Sequence, residues 1–161
     1  MGQINFARVD ARLIHGQVAT AWSNSVGINA IYVVDDPTAT DDFMKMIYTN
    51  LQNNYSFSIK VLKVEEAIEL WSESQFDNDK VMLLFKDVDH AYETRKAGVP
   101  FDVLNVGGSP KNENNKFVAD SVALTEDEFN KLVELSEEDQ VDVYFQTMPS
   151  ATKKGIKSVK Y

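Results

Sequence analysis

"INFARVDARLIHGQVATAWSNSVG", residues 4 to 27, contains the smallest unit from which the fold can be read. "INFARV" reads as a strand with Ile4 and Phe6 on one face. "GQVATAWSNSVG" reads as a helix that Gly27 stops at its C-terminus. Between them, "DARLIHG" is a short polar connection, so the chain passes from strand to helix within a few residues. The same alternation continues outward. "AIYVVDD" is an apolar run ending in acids, as a buried parallel strand does. Thr40 is placed to cap "DDFMKMIYTNLQ", whose first turn holds Asp41 and Asp42. "SFSIKVLKV" alternates like a strand, and Val64, Ala67, Ile68 and Trp71 then recur at helical spacing. "KVMLLF" is the strongest buried strand, "DVDHAYETRKAG" a short helix closed by Gly98, and "FDVLNV" a strand ending at "GG". "VADSVAL" is short and β-prone. Thr125 and Glu128 form a capping box ahead of "FNKLVEL". "VDVYFQTM" is the last strand, stopped by Pro149.

Strands alternating with helices of about 10 to 15 residues predict an α/β fold. The expected architecture is an open, mostly parallel twisted sheet with helices on both faces, in three layers. The 161 residues show no repeat and no internal boundary, so residues 1–161 read as a single domain with a basic C-terminal tail from about residue 151. The one loop-like interruption is "GGSPKNENNK", residues 107 to 116.

Composition removes several functional classes. The chain has no cysteine, hence no disulfide framework and no thiolate metal site. No apolar run approaches the roughly 20 residues that span a bilayer, and the N-terminus has no signal-peptide core. A soluble cytoplasmic protein is expected. The net charge is −9, and the lysines at 153, 154, 157 and 160 stand in the tail without an acid. The first 150 residues therefore carry 12 basic against 25 acidic groups, a balance of −13. Such a surface repels a phosphate backbone, which argues against nucleic-acid binding. The tail reads as a solvated end.

In open α/β sheets, ligands bind beyond the carboxyl ends of the strands. Three stretches meet there: "DARLIHG", "DDPT" and "NVGGSP". The first holds the chemistry. A loop feeding a helix offers unpaired N–H groups, here at Gly16 and Gln17, and the positive end of the helix dipole. The guanidinium of Arg12 adds a fork of donors matched to phosphate oxygens. The imidazole of His15 is a nucleophile near neutral pH. Asp10 is placed to hold Arg12 or orient the ring. Together these form a constellation suited to phosphoryl transfer. The bland alternative is a histidine that caps a helix, with the arginines paired to surface acids. Arg8, Asp35, Asp36, Gly107 and Gly108 are candidates for the border of the site. Asp35 and Asp36 could bind a cation, cap the next segment or pair with Arg8 or Arg12. The two glycines could admit a phosphate or simply turn the chain. His90, in a helix among acids, reads as a solvated surface histidine, and Trp22 and Trp71 as core residues.

"ARVDARLIHGQVATAW", followed by "IYVVDDPTATDDFMK", "DKVMLLF" and "FDVLNVGG" in that order, resembles the IIB components of the mannose/fructose/sorbose family of the phosphoenolpyruvate-dependent sugar phosphotransferase system. The resemblance runs from residue 4 to about 150. It implies that His15 accepts a phosphoryl group from a IIA component and passes it to a sugar during uptake through the membrane components IIC and IID. It further implies phosphate on Nδ1, with Nε2 left to a loop partner, and roles for Asp10 and Arg12 beside it. No metal or organic cofactor is implied, because the phosphate is carried covalently. A homodimer, peripheral to the membrane complex, is expected. Ala11 and Ala21 depart from acidic and polar residues common in the family. A histidine-type phosphatase fits less well, since Ile14 rather than an arginine directly precedes the histidine and no second catalytic histidine is evident. A receiver domain lacks its aspartate and lysine pattern. A ligand-binding module of the same fold predicts no covalent phosphate.

Overall fold

The computed structural model describes residues 1–161. In chain order the elements are β1 (Gln3–Asp10), α1 (Gly16–Val26), β2 (Ala30–Val34), α2 (Asp36–Thr40), α3 (Asp42–Asn50), β3 (Ser58–Leu62), α4 (Val64–Ser74), β4 (Lys80–Phe85), α5 (Val88–Lys96), β5 (Val103–Gly108), β6 (Lys116–Ala119), β7 (Val122–Leu124), α6 (Glu126–Glu138), β8 (Asp142–Phe145) and β9 (Lys154–Gly155). The main sheet runs β3-β2-β4-β1-β5-β8-β9. Every neighbouring pair is parallel except β8 with the short edge strand β9.

Side chains alternate across a strand, so each strand feeds two cores. On one face Ile31, Val33, Met82 and Leu84 meet Trp22 of α1 and Ala39 of α2, with Tyr48 of α3 packed against them. On the other face Tyr32, Val34, Leu83 and Phe85 meet Ala67 of α4, Ala91 of α5 and Leu132 of α6. The expected three layers result. β2 is buried along its whole length, as a strand covered on both faces must be.

Four local expectations change. Ile4 and Phe6 part company, Ile4 joining the α4–α6 core and Phe6 the α1 core, because the β1–β4 register slips between them. Thr40 does not cap α3. Asp35 starts a separate five-residue helix with Pro37 in its first turn, and Asp41 then accepts from the N–H groups of Phe43 and Met44. "VADSVAL" is not one strand but spans the end of β6, a turn at Asp120 and Ser121 with Ser121 left-handed (φ 63°), and β7, which pair as an antiparallel hairpin. The tail is not a solvated end. β9 pairs with β8 at Tyr144 and Phe145, Ile156 is buried, and the ring of Tyr161 lies 5.7 Å from that of Phe129. Its apolar residues, at 156, 159 and 161, pack on the α4–α6 core while its lysines face outward. Trp22 is buried as expected, and Trp71 is half-buried, edge-on to Phe76 at 5.1 Å.

Candidate functional site

Phe6, Arg8 and Asp10 alternate onto the α1 side of β1. Phe6 stacks on Trp22 at 4.8 Å, and the Arg8 guanidinium lies 5.0 Å above the same indole. Arg8 is almost wholly buried, so each of its donors needs a partner. Nη2 donates to Asp10 Oδ2 (2.8 Å) and to the carbonyl of Thr147 (3.0 Å). Nη1 donates to Asn105 Oδ1 and to the carbonyl of Gln146 (3.1 Å). A buried cation is thereby tied to the carboxyl ends of three adjacent strands, β1, β5 and β8. Burial lowers the Arg8 pKa from its ordinary value, against the opposing pull of Asp10.

Asp10 is fully buried and accepts from both sides. Arg12 gives it the backbone N–H and Nε, each at 3.0 Å to Oδ1, and Nη2 at 3.0 Å to Oδ2. Burial alone would raise the Asp10 pKa. The hydrogen bonds of Arg12 and the charge of Arg8 outweigh it and hold the carboxyl below the usual range. The result is a cation–anion–cation row with a net charge of +1. Its outer member is accessible, since the Arg12 side chain is 55% exposed.

Gly107 and Gly108 make room for this row. The β1–β5 register jumps from Val9–Val106 to Asp10–Gly108, so Gly107 is the extra residue of a bulge. A Cβ on Gly107 would lie 2.2 Å from the Arg8 guanidinium, and one on Gly108 would lie 2.8 Å from Asp10 Oδ1. Gly107 thus borders Arg8. Gly108, with Asp10, Ala11, Arg12, Ser109, Pro110 and Ser121, lines an open groove of about 420 Å³.

The loop then turns sharply. Leu13 and Gly16 both adopt left-handed backbone (φ 55° and 46°), and Leu13 buries its side chain with Ile14 against the α1 core. His15 lies between them at the N-cap of α1, in extended conformation and half-buried. Asp35, Asp41, Asp87 and Thr125 cap α2, α3, α5 and α6, and Glu66 closes on the start of α4. α1 has no side-chain cap and no acid in its first turn. Its exposed first residues, Gly16 and Gln17, begin a helix whose N–H groups no side chain of the protein claims. The ring orientation differs from the one the family resemblance implies. Nδ1 is the nitrogen with a loop partner, the carbonyl of Leu13 at 2.8 Å, while Nε2 is covered and unpartnered. The Nδ1 contact to a carbonyl requires a proton on Nδ1.

Arg8, a candidate for the border of the site, is buried behind Asp10, and other candidates fall outside this arrangement. Asp35 and Asp36 pair with neither arginine. Asp35 Oδ2 caps α2 through Thr38, and Asp36 Oδ1 accepts from the N–H of Val64 at the start of α4. His90 is not a solvated histidine. Its Nδ1 donates to Asp87 (2.7 Å) and lies 3.6 Å from Asp35, so it links the ends of β2 and β4. The Asp87 hydrogen bond raises its pKa to about 9. Asp35, Asp87 and His90 bring ligand atoms within 4.8 Å of one another, as a metal would need, but the three satisfy each other as ion pairs. Sequence reasoning missed Asn105, Gln146 and Thr147, which hold Arg8, and Tyr55, whose hydroxyl donates to the carbonyl of Gly16 at 3.2 Å. The three strand-end residues bond mostly through backbone carbonyls, which carry no residue signature.

Fold and site together define an open α/β domain with a cation-backed histidine loop feeding an uncapped helix, the equipment of a phosphoryl carrier. Residues 4–160 match the family described as the PTS system sorbose subfamily IIB component, and the chain belongs to that family. It is therefore a IIB component of the sugar phosphotransferase system, a phosphocarrier of sugar uptake. The sorbose-specific EIIB component of Lacticaseibacillus casei is 30% identical over 82% of this chain and 80% of its own. The mannose-specific EIIAB component of Escherichia coli K12 is also 30% identical, over 83% of this chain and 41% of its own longer one. The crystal structure of manxB from Thermoanaerobacter tengcongensis superposes with a TM-score of 0.90 at 40% identity, covering 98% of this chain and 95% of that one. No helix is long and apolar enough to cross a membrane.

Proposed function

We propose that His15 is the residue that carries the phosphoryl group, received from a phosphohistidine of a IIA component and given to a sugar hydroxyl at the membrane components IIC and IID. The observation that carries this reading is the bare N-terminus of α1. It is the one long helix whose start no side chain closes, and His15 stands on it. The E. coli relative named a mannose-specific EIIAB component is in keeping with a IIA partner. In the first step the new N–P bond forms on His15 as the donor's N–P bond breaks; the proton on the attacking nitrogen passes to solvent and the departing donor imidazole takes one up. For Nδ1 to attack, the ring first leaves the Leu13 carbonyl. The N–H groups at Gly16 and Gln17 and the free edge of the Arg12 guanidinium then face the phosphoryl oxygens, while Asp10 fixes that guanidinium in place. In the second step the sugar hydroxyl oxygen attacks phosphorus as the His15 N–P bond breaks, and the hydroxyl proton is taken up by the freed imidazole. The working assembly in this reading is a homodimer at the membrane complex.

The test is incubation with phosphoenolpyruvate, the general phosphotransferase proteins and IIA. Wild-type protein is expected to gain one phosphoryl group in intact mass, labile in acid and stable in base. His15→Ala is expected to gain none while unfolding at the wild-type temperature, and His90→Ala to be phosphorylated normally. Nitrogen-15 NMR of the phosphorylated ring reads which nitrogen carries the group. Phosphate uptake by His15→Ala would refute the assignment.

A further inference from the structure

α3 buries none of its residues, although its sequence is apolar along one side. Phe43 is 64% exposed, Met46 52% and Ile47 37%, spaced three and four apart on one helical face. These are three of only five large hydrophobic side chains exposed on the whole protein. A fourth, Phe117 at 60%, stands on the β6–β7 hairpin. Exposed apolar side chains gathered in this way mark a contact surface.

Their position is the second observation. α3 follows the carboxyl end of β2 after only the five-residue α2, so Phe43 lies at the end of the sheet where His15 lies. Tyr48 and Leu51 pack against the cluster that holds Leu13 and Ile14, and Tyr55 bonds to Gly16. On the opposite flank, Ser121 at the tip of the hairpin lines the groove with Arg12. The α3 face and the hairpin that carries Phe117 therefore stand at opposite flanks of the segment that runs from Asp10 through Arg12 to His15.

Charge supplies the third. The site offers one accessible arginine, because Arg8 is buried, and the whole chain carries −9. Attraction between opposite charges is too sparse here to hold a partner whose reacting centre is itself anionic. Apolar contact must supply the affinity.

We propose that the α3 face of Phe43, Met46 and Ile47, with Phe117 across the loop, is the docking surface for the protein that bears the donor phosphohistidine. This rests on the reading of His15 given above. Size favours a donor that comes and goes over a second copy of this chain. The α3 side chains expose on the order of 300 Å² of apolar surface. That is the centre of a transient interface, and well short of the roughly 800 Å² per partner of a stable one. A permanent neighbour seated there would also crowd the loop that two partners must reach in turn.

The test is Phe43→Gln with Met46→Gln, helix-compatible changes at exposed positions that are expected to leave the unfolding temperature unchanged. With the IIA protein of the same transporter as donor, the KM for phospho-IIA is expected to rise roughly tenfold or more, with kcat at saturating donor unchanged, as loss of a central apolar contact does. Unchanged KM overturns the proposal. So does a wild-type dimer that the double variant converts to monomer with KM intact, which would give the face to a second copy. So does a normal IIA step followed by slowed sugar phosphorylation in membranes bearing IIC and IID. Calorimetric binding of unphosphorylated IIA to His15→Ala, with and without the two glutamines, reads docking independently of phosphate. A weaker complex with the glutamines supports the docking face even if His15 proved not to be the acceptor, and equal binding overturns it.

Discussion

Gly107→Ala should be strongly destabilising. The added Cβ would stand 2.2 Å from the Arg8 guanidinium, against an ordinary contact of about 3.4 Å, so the group must retreat by roughly 1 Å or more. It has no room to do so. The guanidinium is sandwiched against Trp22 and held by Asp10, Asn105 and two carbonyls of the segment after β8. Movement of that size breaks at least one charge-assisted hydrogen bond and leaves buried charge on Asp10 partly uncompensated. Losses of this kind cost about 3–5 kcal/mol. For a chain of this length the thermal midpoint should fall by roughly 6–20 °C. Urea unfolding of Gly107→Ala beside wild type measures it, with the m-value checked so that the two transitions are comparable. Gly108→Ala, whose Cβ meets Asp10 Oδ1 at 2.8 Å and Arg12 Nη2 at 3.3 Å, should cost less, since Arg12 can shift into solvent. A loss under about 0.5 kcal/mol in Gly107→Ala would show that the buried arginine row is not the rigid centre described here.

Arg12→Ala should slow phosphorylation of the protein by about 10²-fold or more, and Arg12→Lys should also be impaired because a point charge cannot make the paired bonds to Asp10. Rapid-quench transfer assays measure both, and wild-type rates would remove Arg12 from the site. His90 has its folded pKa raised to about 9, so its ion pairs contribute fully below its ordinary value of 6.5 and fade as pH rises through about 9. His90→Gln should therefore lose on the order of 1 kcal/mol at about pH 6, discounted for the exposed side of the pair, and almost nothing at about pH 10. A stability gap that does not narrow with pH would refute the pairing. Deleting residues 151–161 should cost on the order of 3 kcal/mol, through the loss of Ile156 and the Phe129–Tyr161 contact, and show as a lower urea midpoint. An unchanged midpoint would return the tail to solvent.

Alternation of apolar runs with 3.6-periodic segments was enough to give the layers and the strand polarity, because burial on both faces imposes that pattern on the sequence. The His15 loop was legible because its histidine, its guanidinium and the start of a helix happen to stand within a few residues of one another in the chain. What was not legible came from partners distant in sequence. Arg8 reads as a second surface cation until its neighbours are known. Only the meeting of β1, β5 and β8 turns it into a buried strut, with Gly107 shaped around it. His90 sits among acids that look solvating in sequence, yet Asp35, fifty-five residues earlier, arrives beside it through the parallel pairing of β2 and β4. The tail was misread because its four lysines outweighed the spacing of Ile156, Val159 and Tyr161, the residues that pack inward.

The arginine row also sets a time at which the protein can begin to work. Arg8 and Asp10 are synthesised well before Gln146 and Thr147, whose carbonyls hold Arg8. Until those carbonyls arrive, a buried cation lacks part of its shell, and β5 has only one parallel neighbour, β1. A chain still on the ribosome and lacking residues beyond about 140 should leave Asp10 unable to fix Arg12, and its His15 loop should not accept phosphate. Phosphorylation of ribosome-arrested chains of increasing length would reveal the threshold, and uptake before residue 147 has cleared the exit tunnel would disprove it. The order of synthesis would then keep unfinished molecules from drawing phosphate out of the sugar-uptake relay.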